Sequence, residues 1–185
     1  ANLVGISVAT DEDNAFYIPV GHDYEGAPKQ LDRDEVLKKL KPIIEKTPLI
    51  GQHLKFDRNV LANYDIHLNV IENDTMLMSY VYDPTATRHN LDAMASHYLN
   101  VKTTTFEDVA GKGVKQLTFN QIPLEKASDY AAEDADITFR CYSHLKPALA
   151  KTPSLEKVLH EIELPLVPVL SDMEQAGTLV NEEAL

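Results

Sequence analysis

Apolar residues along the chain fall into two periods, and the switches between them mark out the elements. Residues 2–9 (NLVGISVA) and 15–20 (AFYIPV) are short, apolar and β-branched, and the polar run TDEDN joins them. That pattern predicts a β-hairpin with a loop of about five residues. GHDYEGAPKQ reads as a loop. In LDRDEVLKKLKPIIEK the spacing becomes helical, with Val36, Leu37, Leu40, Ile43 and Ile44 in phase. Asp32 with Glu35 forms a capping box that uses Asp for Ser or Thr, and Pro42 is expected to kink or split the helix.

PLIGQ (48–52) is a short buried strand. LKFDRNVLANY continues from it as a helix, with Phe56, Val60 and Leu61 inward and Asp57 near the start. VIENDTMLMSYVYD repeats strand-then-helix, capped by Asp74 and stopped at Asp83-Pro84. HNLDAMASHYL places Leu91, Met94, Ala95 and Tyr98 on one helical face. Residues 100–121 carry two glycines and little period, as long functional or mobile connections do. PLEKASDYAAEDADITFRCYSHLKPAL is the strongest helix, with Pro123 at its first turn and Glu125 and Asp129 at the positive end of its dipole. One further helix holds Pro165 and Pro168 and ends at Gly177, followed by a few extended residues. Strands mixed with helices that can cover both faces indicate an α/β sandwich, although two hairpin strands and two short ones make a thin sheet.

Composition narrows the class. The 185 residues suit one ordinary domain, and 44% hydrophobic with 25% charged residues is the profile of a soluble globular protein. No apolar run approaches the ~20 residues of a membrane span, and no signal peptide is evident, so a cytoplasmic location is the expectation. Cys141 is the single cysteine, which excludes an internal disulfide and a cysteine-built zinc site. A net charge of −12 argues against broad nucleic-acid binding through a basic surface. It leaves open a site that grips phosphates through bound cations, where acids are needed.

The stretch YAAEDADIT (130–138) concentrates such acids beside a tyrosine. On a helix, Tyr130 and Asp134 share a face and Asp136 is rotated off it. This is either a solvated acidic face or half of a metal site. A metal site needs a second acid on another element, and Asp57, just past a buried strand, is the candidate. Otherwise Asp57 is an ordinary helix-start acid favoured by the dipole.

GQHLKFD and YAAEDAD, in this order and about 75 residues apart, resemble the second and third motifs of the 3′→5′ exonuclease domain of bacterial family A DNA polymerases, the DNA polymerase I group. That domain belongs to the DEDD exonuclease superfamily; Tyr four residues before the last Asp is its DEDDy type. The segments TTFEDVAGKGVKQLTFNQIPLEKASDYAAEDAD, ANLVGISVA…AFYIPVGHDY and IELPLVPVLSDMEQAG are similar too, so the resemblance spans nearly the whole chain.

The resemblance implies a ribonuclease H-like fold, a mixed sheet flanked by helices. It implies an exonuclease domain over residues 1–150 and the start of a polymerase domain over 151–185. It also implies a proofreading reaction at the single-stranded 3′ end of DNA, driven by two Mg²⁺ or Mn²⁺ ions. Asp134 would bind one ion, Asp57 would serve the second, and Tyr130 would orient the attacking water. Phe106 is similar to the aromatic that stacks near the frayed end, and Arg88 and His89 to positions along the single-strand path. His53 stands where relatives carry Asn; as a DNA contact, its imidazole would make activity vary near pH 6–7, and as a plain loop residue it would not. The alternative for Phe106 is a loop residue anchored in the core, and for Arg88 and His89 helix-start surface residues.

The family's first motif, Asp-x-Glu on the central strand, lies upstream of Ala1, so the fragment itself is expected to have little activity. Its hairpin and later strands would lack a shared neighbour, with a strand-swapped oligomer as one outcome. Two alternatives remain at this point: a non-catalytic scaffold or DNA-contact domain, and an RNase D-like exoribonuclease.

Overall fold

In the computed structural model, which describes residues 2–179, the chain opens with a hairpin. Strands β1 (Gly5–Asp11) and β2 (Asn14–Pro19) pair antiparallel from Gly5↔Pro19 to Asp11↔Asn14. They reach further into the polar run than hydropathy suggests. The turn is only Glu12 and Asp13, and Asp13 takes a left-handed φ of 70°, a conformation Asp tolerates better than most residues.

Helix α1 (Arg33–Ile44) starts at Asp32, whose side chain accepts from the Glu35 N–H at 3.0 Å. Pro42 does not split it: the proline lies in the last turn, and the helix runs on to Ile44. Two strand–helix units follow. Strand β3 (Leu49–Gly51) leads to α2 (Leu54–Ala62), and β4 (Ile71–Asp74) leads directly into α3 (Thr75–Tyr82). The two strands are parallel, with Gly51 opposite Asp74. Phe56, expected inward, is 57% exposed. Helix α2 turns Leu54 and Leu61 to the core, and a residue two positions from Leu54 lies about 200° around the axis.

The strand ends are held by Asp74, which is 1% exposed. Its carboxylate accepts from Met76 N–H (3.0 Å) and Leu77 N–H (3.4 Å), capping α3. The same carboxylate accepts from His53 N–H (3.1 Å) and Leu54 N–H (2.7 Å), at the start of α2. His53 sits at φ 59°, ψ 46° and makes no side-chain cap of its own, so Asp74 supplies the cap that α2 lacks. Beside it, the single hydroxyl proton of Thr75 is shared between Gly51 O (3.1 Å) and Gln52 Oε1 (2.5 Å).

Helix α4 (Leu91–Met94), capped by Asn90, passes into a π-helical turn at Ala95–Leu99. The long connection is not structureless: α5 (Phe106–Ala110) starts at a Thr105–Asp108 capping box, and 3₁₀ turns cover Gly113–Lys115 and Phe119–Gln121. Helix α6 (Leu124–Leu149) is the spine, with the hairpin and α3 both packed on it. The last predicted helix runs unbroken from Pro153 to Ala176, as α7 (Pro153–Val158), a π-helical turn at Leu159–Glu163, and α8 (Leu164–Ala176). Gly177 follows at φ 73°, and part of the extended tail expected after it lies outside the described residues.

The main core joins Met78, Met94, Ile137, Leu145 and Leu149 with Leu159 and Leu164, so packing runs on across residue 150. A second core gathers Leu3, Leu37, Leu61, Ile66 and Leu68. Among the described residues the strands form two separate two-stranded sheets, β1–β2 and β3–β4. No described helix is long and apolar enough to cross a membrane.

A helix cap contributes about 0.5–2 kcal/mol. Asp74→Ala, which uncaps two helices at a buried site, is expected to cost about 2–4 kcal/mol in chemical denaturation. Asp32→Ala, at the exposed start of α1, is expected to cost about 1 kcal/mol. Asp74→Asn, which keeps an acceptor, falls between them.

Candidate active site

Tyr130 and Asp134 lie one turn apart on α6, as their spacing requires. The Asp134 carboxyl is pushed up to about 7, first by burial and then by the nearby charges of Asp92 and Glu133. A hydrogen bond from Tyr130 pulls the other way. The Tyr130 hydroxyl is itself raised well above the usual tyrosine range, by burial and by Asp134, and stays protonated at any physiological pH.

Two rings hold Tyr130. Phe106, the first residue of α5, meets it edge-on at 6.2 Å between centroids, and Phe119 lies tilted against it at 6.1 Å. A cavity of about 300 Å³ opens beside Tyr130, lined by Thr104, Val109, Lys126, Asp129, Tyr130 and Glu133. Loop residues fix the surrounding acids. Thr104 N–H donates to Glu133 Oε2 (2.8 Å), and the Thr103 hydroxyl donates to Asp92 Oδ1 (2.7 Å). Asp136 is used differently: it accepts from Asp13 N–H (3.0 Å) and Arg140 Nε (2.8 Å), tying the hairpin turn to α6.

Asp57 lies on α2, one turn past the Asp74 cap. One side of it is open to solvent and the other is crowded by protein. The crowding, and then the charge of Asp74, move its carboxyl upward, while the open side screens that shift. Asp74 is raised by burial, against four backbone N–H groups that favour its charged form. Asp57 and Asp134 thus belong to two neighbourhoods, Asp57 with Asp74 and Asp134 with Asp92 and Glu133. Among the described residues no three His, Cys, Asp or Glu side chains converge as a metal-holding group.

The remaining candidates divide. Arg88 is exposed and has no ion pair among the described residues. The His53 ring is exposed and stacks on Phe56 at 6.5 Å. The His89 ring is engaged at both nitrogens, Nδ1 with the Ser79 hydroxyl (2.7 Å) and Nε2 with Pro84 O (3.2 Å), and its backbone is left-handed at φ 60°. Sequence reasoning missed Phe119, Asp92 and the reach of Asp74 to α2. Their only signals are an aromatic in a polar loop, an acid in a first helical turn, and a cap whose second helix is 20 residues away in sequence.

The comparisons agree on where this architecture belongs. The DNA polymerase I of Pseudomonas aeruginosa is 53% identical over all of this chain, which spans 21% of that protein. The DNA polymerase I of Chloroflexus aurantiacus is 36% identical, again over the whole chain and 19% of the relative. The chain therefore spans about a fifth of the length of these relatives. Among solved structures, the POL domain of Pol1 from M. smegmatis, in complex with DNA primer-template and dNTP, superposes with a TM-score of 0.69 at 21% identity. It covers 97% of this chain and 27% of its own. Brucella melitensis NrnC superposes at 0.63 and 19% identity, covering 95% and 78%. The fold is ribonuclease H-like α/β. Residues 1–150 match the family described as 3′-5′ exonuclease, and the chain belongs to that family.

Proposed function

We propose that this chain is part of a proofreading 3′→5′ exonuclease of a DNA polymerase, which removes nucleotides from the single-stranded 3′ end of DNA by metal-dependent phosphodiester hydrolysis and needs the acids expected upstream of Ala1 for activity. The observation that carries the reading is the Tyr130–Asp134 face of α6, with Phe106 against the tyrosine ring and no Lys or Arg paired with the acid among the described residues. Asp136, Asp172, Glu174 and Glu107 each have a Lys or Arg partner. Asp57 and Asp134 have none among the described residues. Carboxylates that are crowded, unpaired and pushed upward fit a hard divalent cation, which reverses that shift.

Asp134 and Asp57 would supply carboxylate oxygens to Mg²⁺ or Mn²⁺, hard cations that favour oxygen ligands. Such cations, when bound, favour hydroxide formation and stabilise the leaving 3′ oxygen. The protonated Tyr130 hydroxyl orients the attacking water. Phe106 offers a face for the terminal base, with a stacking contribution of about 1–3 kcal/mol. Arg88 and the exposed ring of His53 serve the DNA path, while the His89 ring is committed to Ser79 and Pro84. A frayed mismatch reaches the site at lower cost than a paired end, which gives proofreading its selectivity.

The test is release of nucleotides from a 3′-frayed oligonucleotide, with the chain extended upstream by the segment that precedes the match in its Pseudomonas relative. Asp134→Ala is expected to lose at least a hundredfold in kcat, and Tyr130→Phe about a hundredfold with KM little changed. Phe106→Ala is expected to raise KM for single-stranded ends roughly five- to hundredfold. No activity in the extended parent chain would instead support a scaffold domain, and full activity in Asp134→Ala would remove Asp134 from the site.

A pH effect follows without metal. Asp134 titrates near 3.8 when unfolded and about 7 when folded, so the folded state holds more protons between those values. Stability of the metal-free protein therefore falls as pH rises through that window. In thermal melts from pH 4 to pH 8, Asp134→Asn is expected to flatten the fall, and added Mg²⁺ is expected to offset it at the upper end.

A further inference from the structure

Helix α2 carries Asp57 but buries only Leu54 and Leu61 along its nine residues. Its start is fixed by Asp74. Its side is fixed by α8, which lies beyond the 1–150 family match. Lys55, Arg58 and Asn59 stand at i, i+3 and i+4, so they form one face of α2. Arg58 Nη1 donates to Ser171 Oγ (2.5 Å) and Asp172 Oδ1 (2.7 Å). Lys55 Nζ pairs with Glu174 Oε1 (2.5 Å), and Asn59 Nδ2 donates to Glu174 Oε2 (2.8 Å). Ser171, fully buried, donates to Asn59 Oδ1 (2.6 Å) and accepts from Gln175 (3.0 Å).

We infer that α8 is a working part of the exonuclease site: its polar latch on α2 holds the helix, and therefore Asp57, in the position from which the acid serves the metal. The inference rests on the catalytic reading of Asp57. Cation is on α2 and anion on α8, so the contact has a sense, and the buried Ser171 fixes its register. A cap alone leaves a short helix free to roll about its first turn; a side contact at 55, 58 and 59 removes that freedom. Metal–oxygen distances of about 2.0–2.1 Å tolerate little of it. Arg58 and Ser171 are positioning residues on this account, because they act through Asp57.

The test uses the same extended chain with Asp172→Ala and Glu174→Ala together, both at exposed positions where folding is retained. Hydrogen exchange of the α2 amides is expected to rise roughly three- to tenfold, with α1 unchanged. Mn²⁺ affinity and kcat are expected to fall by a similar factor, with KM for the oligonucleotide unchanged. The conservative pair Asp172→Asn and Glu174→Gln, which keeps the acceptors, is expected to recover most of the loss. Looser α2 with unchanged Mn²⁺ affinity and kcat overturns the inference, and so does α2 exchange that does not rise. Asp57→Ala separates the two claims. If it cleaves like the parent protein, the catalytic reading of Asp57 has failed and takes this inference with it. If it is inactive while the unlatched protein keeps its affinity and kcat, only the latch has failed.

Discussion

Four backbone N–H groups, from the first turns of two helices, converge on the carboxylate of Asp74. The architecture around the candidate site depends on this arrangement. Parallel strands deliver their chains to the same end of the sheet, and β3 and β4 each give way to a helix there. Both helices begin with unsatisfied donors in a buried region, where leaving them unpaired is costly. One buried acid answers both needs. It also fixes the distance between the two strand ends, and with it where α2 begins and where Asp57 stands.

From that junction two separate acidic neighbourhoods are laid out. On one side, α2 presents Asp57 beside Asp74. On the other, α6 presents Tyr130 and Asp134, and a loop that looks featureless in sequence encloses them with Phe106, Phe119 and two tethered threonines. Crowded acids without cation partners are unfavourable in the folded state taken alone. Functional sites commonly keep such an imbalance, and a bound cation or substrate relieves it. The rest of the chain does the opposite: Asp136 and Arg140 stitch the hairpin turn to α6, and Lys55 and Arg58 meet the acids of α8.

What the sequence made legible follows from range. The 3.6 and 2 periods located the strands and most helices, because they depend on residues a few positions apart. Tyr130 and Asp134 were legible for the same reason. Asp32 and Asp74 announced their own helices as caps. The second helix of Asp74, the ring of Phe119 and the acids around Asp134 were not legible, since each is a contact between distant segments. Phe56 was misplaced because a short apolar run leaves its inward phase ambiguous, and Leu54 claimed it. Pro42, expected to kink or split its helix, does not split it, because it falls in the last turn. The roles expected of Asp57 and Asp134 toward a metal came from likeness to a family, beyond what helical spacing alone indicates.

The π-helical turn at Leu159–Glu163 carries a further consequence. Such a turn holds one more residue than an α-helical turn, and each helical residue advances the chain about 100° around the axis. The face that α8 shows to α2 is thus set by a count of residues as much as by their identity. Removing one residue between Pro153 and Pro165 would return the segment to regular winding with Ser171 close to its present phase, because the wider turn absorbs one extra residue. Removing a second, with no wide turn left to absorb it, would swing Ser171 about 100° from Arg58, so chain length in this stretch is under a phase constraint that hydropathy does not register, with one residue of slack.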